Sequence, residues 1–422
     1  MKAQTSTRPD IVARKKLGLD WSPAQRNAYL KDVKVVDIKR LDQPYPVDDH
    51  YVAGTPKARE QWSDYWHEKP MKDRRYRHGI RPKILDLDES RLQYIIPQSE
   101  SVIFRDADTK ELVMVVLRSF MPDEGVRGTM VELCKDILKA RRNDRREDPG
   151  MLVHFGYTCG SRHDPQIQLA APCVRLNTVA KQQSEEQLNI RAQGMAGLTW
   201  NMMKSRLPLE ITATYNDMIE AYDLPRMDMG RDDDAFTFQL KGQDVTFQGL
   251  ELPPPSGLSA INYARHTHTE TNGDNWIVAC TCNAPDDPTK GGNFYIASYG
   301  IMMEPATNTV SAWHPPDYHG TSLYEMTEGP ERRAGYEIRT ELQHRHGVRN
   351  VKSIEECTEE LCLARRTTQD ERTETSAGSC KKEHTDEVFP PLENGSCIQN
   401  KTVGITMPAS RHIRMVGQHR MQ

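Results

Sequence analysis

The chain has 422 residues, a formal net charge of −4, 37% hydrophobic residues and a mean hydropathy of −0.72. That length can bury a large core, and near-neutrality argues against a protein basic throughout while leaving room for a local basic face. A membrane span needs about eighteen apolar residues, and the longest clearly apolar run is LVMVVL at 112–117, the length of a strand.

The start, MKAQTSTRPDIVARKKLGLDW, lacks the apolar stretch of a secretory signal. The nine cysteines are scattered and odd in number, so no disulfide framework is expected and the setting is read as reducing, nuclear or cytosolic.

Residues 1–84 read as a basic, partly disordered arm, because Arg8, Arg14, Lys15, Lys16 and Lys31 recur without an apolar period. Within it, KDRRYRHGIRPK at 72–83 is a basic knot. Arg74, Arg75, Arg77 and Arg81 could meet phosphate, or could equally form a solvated surface. Residues 85–234 read as a mixed α/β part packing on the core. Here VIFRDADTKELVMVVLR predicts a hairpin with DADTKE as its turn. A helix is predicted over 129–142, opened by a Thr129/Glu132 capping box, with Met130, Leu133, Cys134, Ile137 and Leu138 on one stripe. Two more helices are expected near 184–203 and 209–222, separated by Pro208.

From residue 235 the texture becomes β-type. AFTFQLKGQDVTFQGLEL alternates at period two, and NWIVACTC, GGNFYIASYGIMM and NTVSAWHP are short runs ended by Gly, Pro or Asn. Many short strands at this spacing predict a sandwich or jelly roll over 235–342. Residues 343–400 read as a polar insert, and 401–422 as a final core strand and tail. The expected class is therefore α+β, with a jelly-roll core flanked by helices.

NYARHTHTETNGDNW, at 262–276, holds His268-Thr-Glu270. In a strand or its exit, residues i and i+2 share a face, so both side chains can reach one ion. AWHPPDYHGTSL, at 312–323, supplies His319. Two histidines and a carboxylate on one face of a metal leave positions open for a chelating cosubstrate and O2, the arrangement of non-haem Fe(II) oxygenases. His266 and Asp274 stay open as alternative ligands. A polar strand exit beside an unrelated histidine is the plainer alternative. Asn262, Tyr263 and Arg265 precede the pair and could line a substrate pocket, or could pack within the sheet.

NYARHTHTETNGDNW, GGNFYIASYGI and WHPPDYHGTSL resemble the double-stranded β-helix core of the TET/JBP family of 2-oxoglutarate- and Fe(II)-dependent dioxygenases. The likeness is to its fungal, transposon-associated members. VIFRDADTKELVMVVLRSF, REDPGMLVHFGYTCGSRHDP and FQGLELPPPSGLSAINYARHTH resemble the upstream part of the same group, so the resemblance spans about 85–325. It implies oxidation of 5-methylcytosine in double-stranded DNA, or of N6-methyladenine, by a nuclear enzyme using Fe(II) and 2-oxoglutarate. The family's pair is His-x-Asp, whereas position 270 is Glu, which moves the carboxylate out by about 1.5 Å.

The fold implied by the resemblance draws the arginine that holds the cosubstrate from the strand after the distal histidine. Arg333 and Arg411 both qualify. Arg162, on the glycine-flanked GYTCGSRHDP, is a candidate DNA contact, as base chemistry needs a flipped nucleotide and cationic contacts around it. Cys357, Cys362, Cys380, His384 and Cys397 are residue types that build zinc sites, but their spacing matches no strong template, so free thiols are expected. A monomer without membrane contact is expected. The alternatives are the same fold acting on RNA, protein or a small molecule, and a non-catalytic DNA-binding jelly roll.

Overall fold

A computed structural model describes residues 8–70, 81–161, 164–231, 233–270, 275–284, 287–326 and 341–343. Residues 8–69 are not a disordered arm. Helix α1 (Pro9–Leu17) carries proline in its first turn and ends on Gly18 in the left-handed conformation, φ 62°. Helix α2 (Pro23–Lys31) opens on a capping box of Ser22 and Gln25. Strand β1 (Lys34–Ile38), strand β2 (His50–Ala53) and helix α3 (Pro56–Glu68) follow.

The basic residues of α1 hide how it is held. Ala13 and Leu17, one turn apart, and Leu19 are buried in the main core. The guanidinium of Arg206 donates to the carbonyls of Leu17 at 2.8 Å and Gly18 at 3.3 Å, satisfying groups a helix end leaves open. Two apolar residues suffice because the partner surface comes from far along the chain.

Strands β3 (Lys83–Asp86) and β4 (Tyr94–Ile96) lead into the expected hairpin, β5 (Val102–Asp106) and β6 (Leu112–Arg118), which pair antiparallel. Asp106 makes the turn by accepting from the amides of Asp108 and Thr109, both at 2.9 Å. Helix α4 (Glu124–Ala140) begins five residues before the predicted capping box. Its N-cap is Asp123, and Thr129 donates back to the Gly125 carbonyl within the helix. The predicted stripe is buried as expected.

Strands β7 (Met151–Ser161) and β8 (Asp164–Leu169) precede the long helix α5 (Val179–Arg206) and helix α6 (Leu209–Ala221), which Pro208 separates. The period-two segment forms β9 (Ala235–Leu240) and β10 (Gln243–Gln248), but this hairpin does not enter the core sheets as expected. It lies on α5, where a Cβ at Gly194 would come within 1.9 Å of the Thr237 carbonyl oxygen. Glycine there permits backbone-on-backbone contact that the alternation of β9 does not reveal.

Eight strands remain: β11 (Ser256–Ile261), β12 (Arg265–His268), β13 (Ile277–Thr281), β14 (Phe294–Ile296), β15 (Ile301–Met303), β16 (Thr309–Trp313), β17 (His319–Thr321) and β18 (Glu341–Gln343). The nine-stranded sheet runs β1-β5-β6-β16-β13-β18-β11-β7-β8, and the five-stranded sheet runs β12-β17-β14-β15-β4. The chain thus crosses between sheets at nearly every connection from β11 to β18. Ile96, Val102, Phe104, Met114, Val116, Ile277, Ile296, Ile301 and Trp313 fill the space between the sheets. Val115, Leu117, Val153 and Phe155 face the other way, onto α4 and α5.

No seam lies at residue 234, because β6 pairs with β16 and β7 with β11 across that boundary. Apart from Gln343, which ends β18, the insert at 343–400 lies outside the described residues, as do the final strand and tail at 401–422 and the Cys/His group.

Arg118 pins the end of β6. It donates to the carbonyls of Pro97, Glu100 and Glu304 and to the Thr309 hydroxyl, at 2.9–3.3 Å. Arg118→Met leaves buried acceptors unmet and is expected to cost about 3 kcal/mol in a denaturation measurement; a loss under about 0.5 kcal/mol would contradict this bracing role.

Candidate metal centre

The ligand pair stands where β12 ends. Strand β12 pairs antiparallel with β17 so that His268 lies directly opposite His319, with a bulge between Arg265 and His268. Antiparallel partners on one face bring side chains together, and the two imidazole centroids are 4.5 Å apart. Glu270 follows in the exit, its amide donating to the Pro315 carbonyl at 2.8 Å. That bond ties the exit of β12 to the loop preceding β17. Glu270 Oε1 then lies 3.4 Å from His268 Nε2.

One ligand atom from each of His268, Glu270 and His319 lies within 4.8 Å of the others. The ring protons explain why these atoms can accept a cation. His268 Nδ1 lies 2.8 Å from the His266 carbonyl and His319 Nδ1 lies 2.7 Å from the Asp317 carbonyl. A carbonyl only accepts, so Nδ1 is the donor in each ring, and the neutral tautomer keeps its lone pair on Nε2. Two lone pairs and a carboxylate at this spacing repel one another unless positive charge sits among them. The donor set, two imidazoles and one carboxylate oxygen, fits a divalent first-row metal.

Asp317 braces His319 further. Its carboxylate is paired with Arg40 at 2.7 Å. The same guanidinium lies 3.3 Å from the Tyr299 hydroxyl, which donates to Asp106 at 2.9 Å. Burial and the bond to Asp106 push the Tyr299 hydroxyl up to about 12, and hydrogen bonds from the Thr109 amide and Tyr299 hold Asp106 below the usual carboxylate range. Phe294 and Trp313 stand 6.1 and 5.8 Å from the His319 ring and make an apolar wall.

On the other side sits Asp148, 8% exposed. It accepts from the hydroxyls of Tyr51 at 2.7 Å and Tyr263 at 2.8 Å. Arg265 lies 3.9 Å from Asp148 and 3.9 Å from Glu270. Burial opposes the charge on Arg265, but the adjacent Tyr263 and Asp148 raise its pKa above the ordinary value, so it is cationic. Burial raises the pKa of the Tyr263 hydroxyl as well.

Of the residues expected beside the substrate, Tyr263 is therefore committed to Asp148. Asn262 forms a buried left-handed turn, φ 49°, and a Cβ on Gly150 would fall 2.1 Å from its carbonyl oxygen. His266 is not a third imidazole of the cluster. Its ring packs edge-on to Tyr51 and to His268, and burial lowers its pKa.

Arg81 borders a separate cleft of about 320 Å³ with Arg59, Trp66, His67 and Ile84. Arg74, Arg75, Arg77, Arg162, Arg333, Arg411 and Asp274 lie outside the described residues. Sequence reasoning missed Asp148, Tyr51, Arg40 and Asp317. Tyr51 belongs to no motif, Asp148 and Asp317 lie in quoted segments but were given no role there, and Arg40 looked like one more charge of the arm.

Neither a family model nor a curated protein matches the chain. Among solved structures it is similar to NgTET1 in complex with 5mC DNA, at 13% identity and a TM-score of 0.36, over 59% of this chain and 77% of that one. It is also similar to a prolyl-4-hydroxylase of Pseudomonas putida, at 10% identity and a TM-score of 0.27, over 56% of this chain and 93% of that one.

Supporting contacts of metal ligands are worth about 10–100-fold in affinity. Arg40→Ala is expected to weaken Co(II) binding about 10-fold in a calorimetric titration, and His319→Ala to abolish it. Unchanged affinity in Arg40→Ala would show that the Arg40–Asp317 pair does not position His319.

Proposed function

We propose that this chain is a 2-oxoglutarate- and Fe(II)-dependent dioxygenase that oxidises the methyl group of a modified base in DNA. The observation that carries the reading is the convergence of His268, Glu270 and His319 on the facing strands β12 and β17. The strand order supports it. Four strands ordered β16-β13-β18-β11 and four ordered β12-β17-β14-β15, with the chain crossing between them at every connection but β14–β15, are consistent with the connectivity a double-stranded β-helix would have.

His268 and His319 would hold the iron through Nε2, oriented by their Nδ1 bonds to backbone carbonyls, and Glu270 through its carboxylate. When bound, Fe(II) with 2-oxoglutarate and O2 supplies the oxidising chemistry that side chains lack. Phe294 and Trp313 keep water from one side of His319, and Arg40 with Asp317 holds the loop that carries it.

The choice of DNA, and of 5-methylcytosine or N6-methyladenine, rests on the sequence resemblance and on the basic segments. Arg74, Arg75, Arg77 and Arg162 are the proposed contacts to the backbone around a flipped base. Arg333 or Arg411 is the proposed partner of the cosubstrate's distal carboxylate. A monomer acting in the nucleus completes the reading.

The test is anaerobic reconstitution with Fe(II), 2-oxoglutarate and duplex DNA carrying either methylated base, followed by air and mass spectrometry of the nucleosides. Oxidised base that disappears in His319→Ala is expected. Succinate formed without oxidised base would reject DNA and keep the oxygenase. Bound iron with neither product would point to a non-catalytic binding module, in which Glu270 has replaced the family's aspartate without retaining turnover.

A further inference from the structure

A file of rings in contact leads from the metal ligands to a surface cleft. Centroid to centroid, His268 lies 5.5 Å from His266, His266 lies 5.6 Å from Tyr51, and Tyr51 lies 4.9 Å from Trp66. Trp66 borders the cleft of about 320 Å³ that Arg59, His67 and Arg81 also line. Tyr51 and Trp66 are 2% and 3% exposed, so the file is sheltered from solvent until it meets the cleft.

Two features set this file apart from ordinary aromatic packing. Its outer members are a phenol and an indole, the side chains that release a single electron most readily. Their one-electron potentials lie close together, so an electron can pass between them in either direction. The second feature is Asp148, which accepts the Tyr51 hydroxyl at 2.7 Å. A phenol that loses an electron becomes a strong acid. A carboxylate already bonded to it takes the proton, so no new charge is stranded in a buried site.

On the other side of the ligands, Trp313 stands 5.8 Å from the His319 ring but belongs to the closed core between the sheets. An electron drawn from Trp313 leaves an oxidised core residue. One drawn from Tyr51 can be replaced from outside.

We propose that Tyr51 and Trp66 form an electron path through which a small reductant in the cleft quenches oxidising equivalents at the metal centre when no substrate consumes them. The proposal rests on the oxygenase reading above. Tyr51 gives one electron toward the centre past His266 and passes its hydroxyl proton to Asp148, leaving a neutral phenoxyl radical and a neutral acid. Trp66 then gives one electron to Tyr51, and Asp148 returns the proton. A one-electron donor of the thiolate or ene-diol class refills Trp66 from the cleft. Two such passages, with two protons from water, balance the oxidation of 2-oxoglutarate by O2 to succinate, carbon dioxide and water.

The experiment exposes the full-length chain, loaded with Fe(II) and 2-oxoglutarate but no DNA, to O2 and freezes it at intervals for electron paramagnetic resonance. A tyrosyl signal is expected, narrowed in protein made with ring-deuterated tyrosine. Tyr51→Phe keeps the ring and is expected to lose the signal, whereas Tyr263→Phe keeps it. Ferrocyanide serves as the probe reductant. In Trp66→Phe the signal is expected to decay at least about 10-fold more slowly under ferrocyanide, because phenylalanine is a far poorer electron donor than indole. Peptide mass spectrometry of the same samples is expected to find more oxidised Trp313 per succinate in Tyr51→Phe than in wild type.

A signal that survives Tyr51→Phe overturns the proposal. So does succinate formed with neither a tyrosyl signal nor extra oxidised Trp313 in that variant. If Tyr51→Phe does not fold, the decay in Trp66→Phe decides, and an unchanged rate overturns the path. Each of these leaves the oxygenase standing. Wild-type protein that binds iron but forms no succinate overturns both.

Discussion

The site depends on the pairing of β12 with β17. An antiparallel pair places residues directly opposite one another, and here the opposite residues are His268 and His319. A slip of one residue would turn one imidazole to the other face. Register is therefore the constraint on which the ligand geometry hangs, and the surroundings fix it from several directions. Strand β14 pairs with the far side of β17, so that Ile296 faces His319. The Glu270 amide is bonded to the Pro315 carbonyl, which holds the exit of one ligand strand to the approach of the other.

Two acidic residues behind the ligands carry the support. Asp317 and Asp148 are both nearly buried, and a buried carboxylate is tolerable only when bonded and paired. Asp317 finds Arg40, and Asp148 finds the hydroxyls of Tyr51 and Tyr263 with Arg265 nearby. Arg40 and Tyr51 come from the segment that composition alone reads as a basic arm. That segment is part of the wall of the site. Its apolar residues are few because the core offers the complementary surface, and its arginines are placed by partners hundreds of residues away.

Glutamate at position 270 puts its carboxylate about 1.5 Å further from the backbone than aspartate would. The structure accommodates the longer arm in the strand exit, with Oε1 still 3.4 Å from His268 Nε2. Arg265 stands 3.9 Å from the same oxygen, so the carboxylate reaches the triad alongside a cation. A charge at that distance competes with a metal for the carboxylate and also favours an anion beside it. The chemistry of the site turns on the balance between these two effects.

Much was legible in the sequence. The hairpin at 102–118, the apolar stripe of α4 and the break at Pro208 follow from local periodicity and turn chemistry, which act over a few residues. The His-x-Glu spacing fixed a shared face, and His319 was legible from its frame. Local signals failed where a distant partner decided. Thr129 and Glu132 make a good capping box, but Asp123 starts the helix earlier, and β9 and β10 alternate like core strands yet form a separate hairpin whose β9 packs on glycines of α5. The residues behind the ligands, Arg40, Tyr51, Asp148 and Asp317, were given no role by the local sequence, because each acts through a contact whose other half lies far along the chain. Residue types and spacing name the atoms able to bind a metal. That they meet is a product of the fold, since a meeting requires the register of two strands about fifty residues apart, and long-range pairing is set by the packing of both sheets.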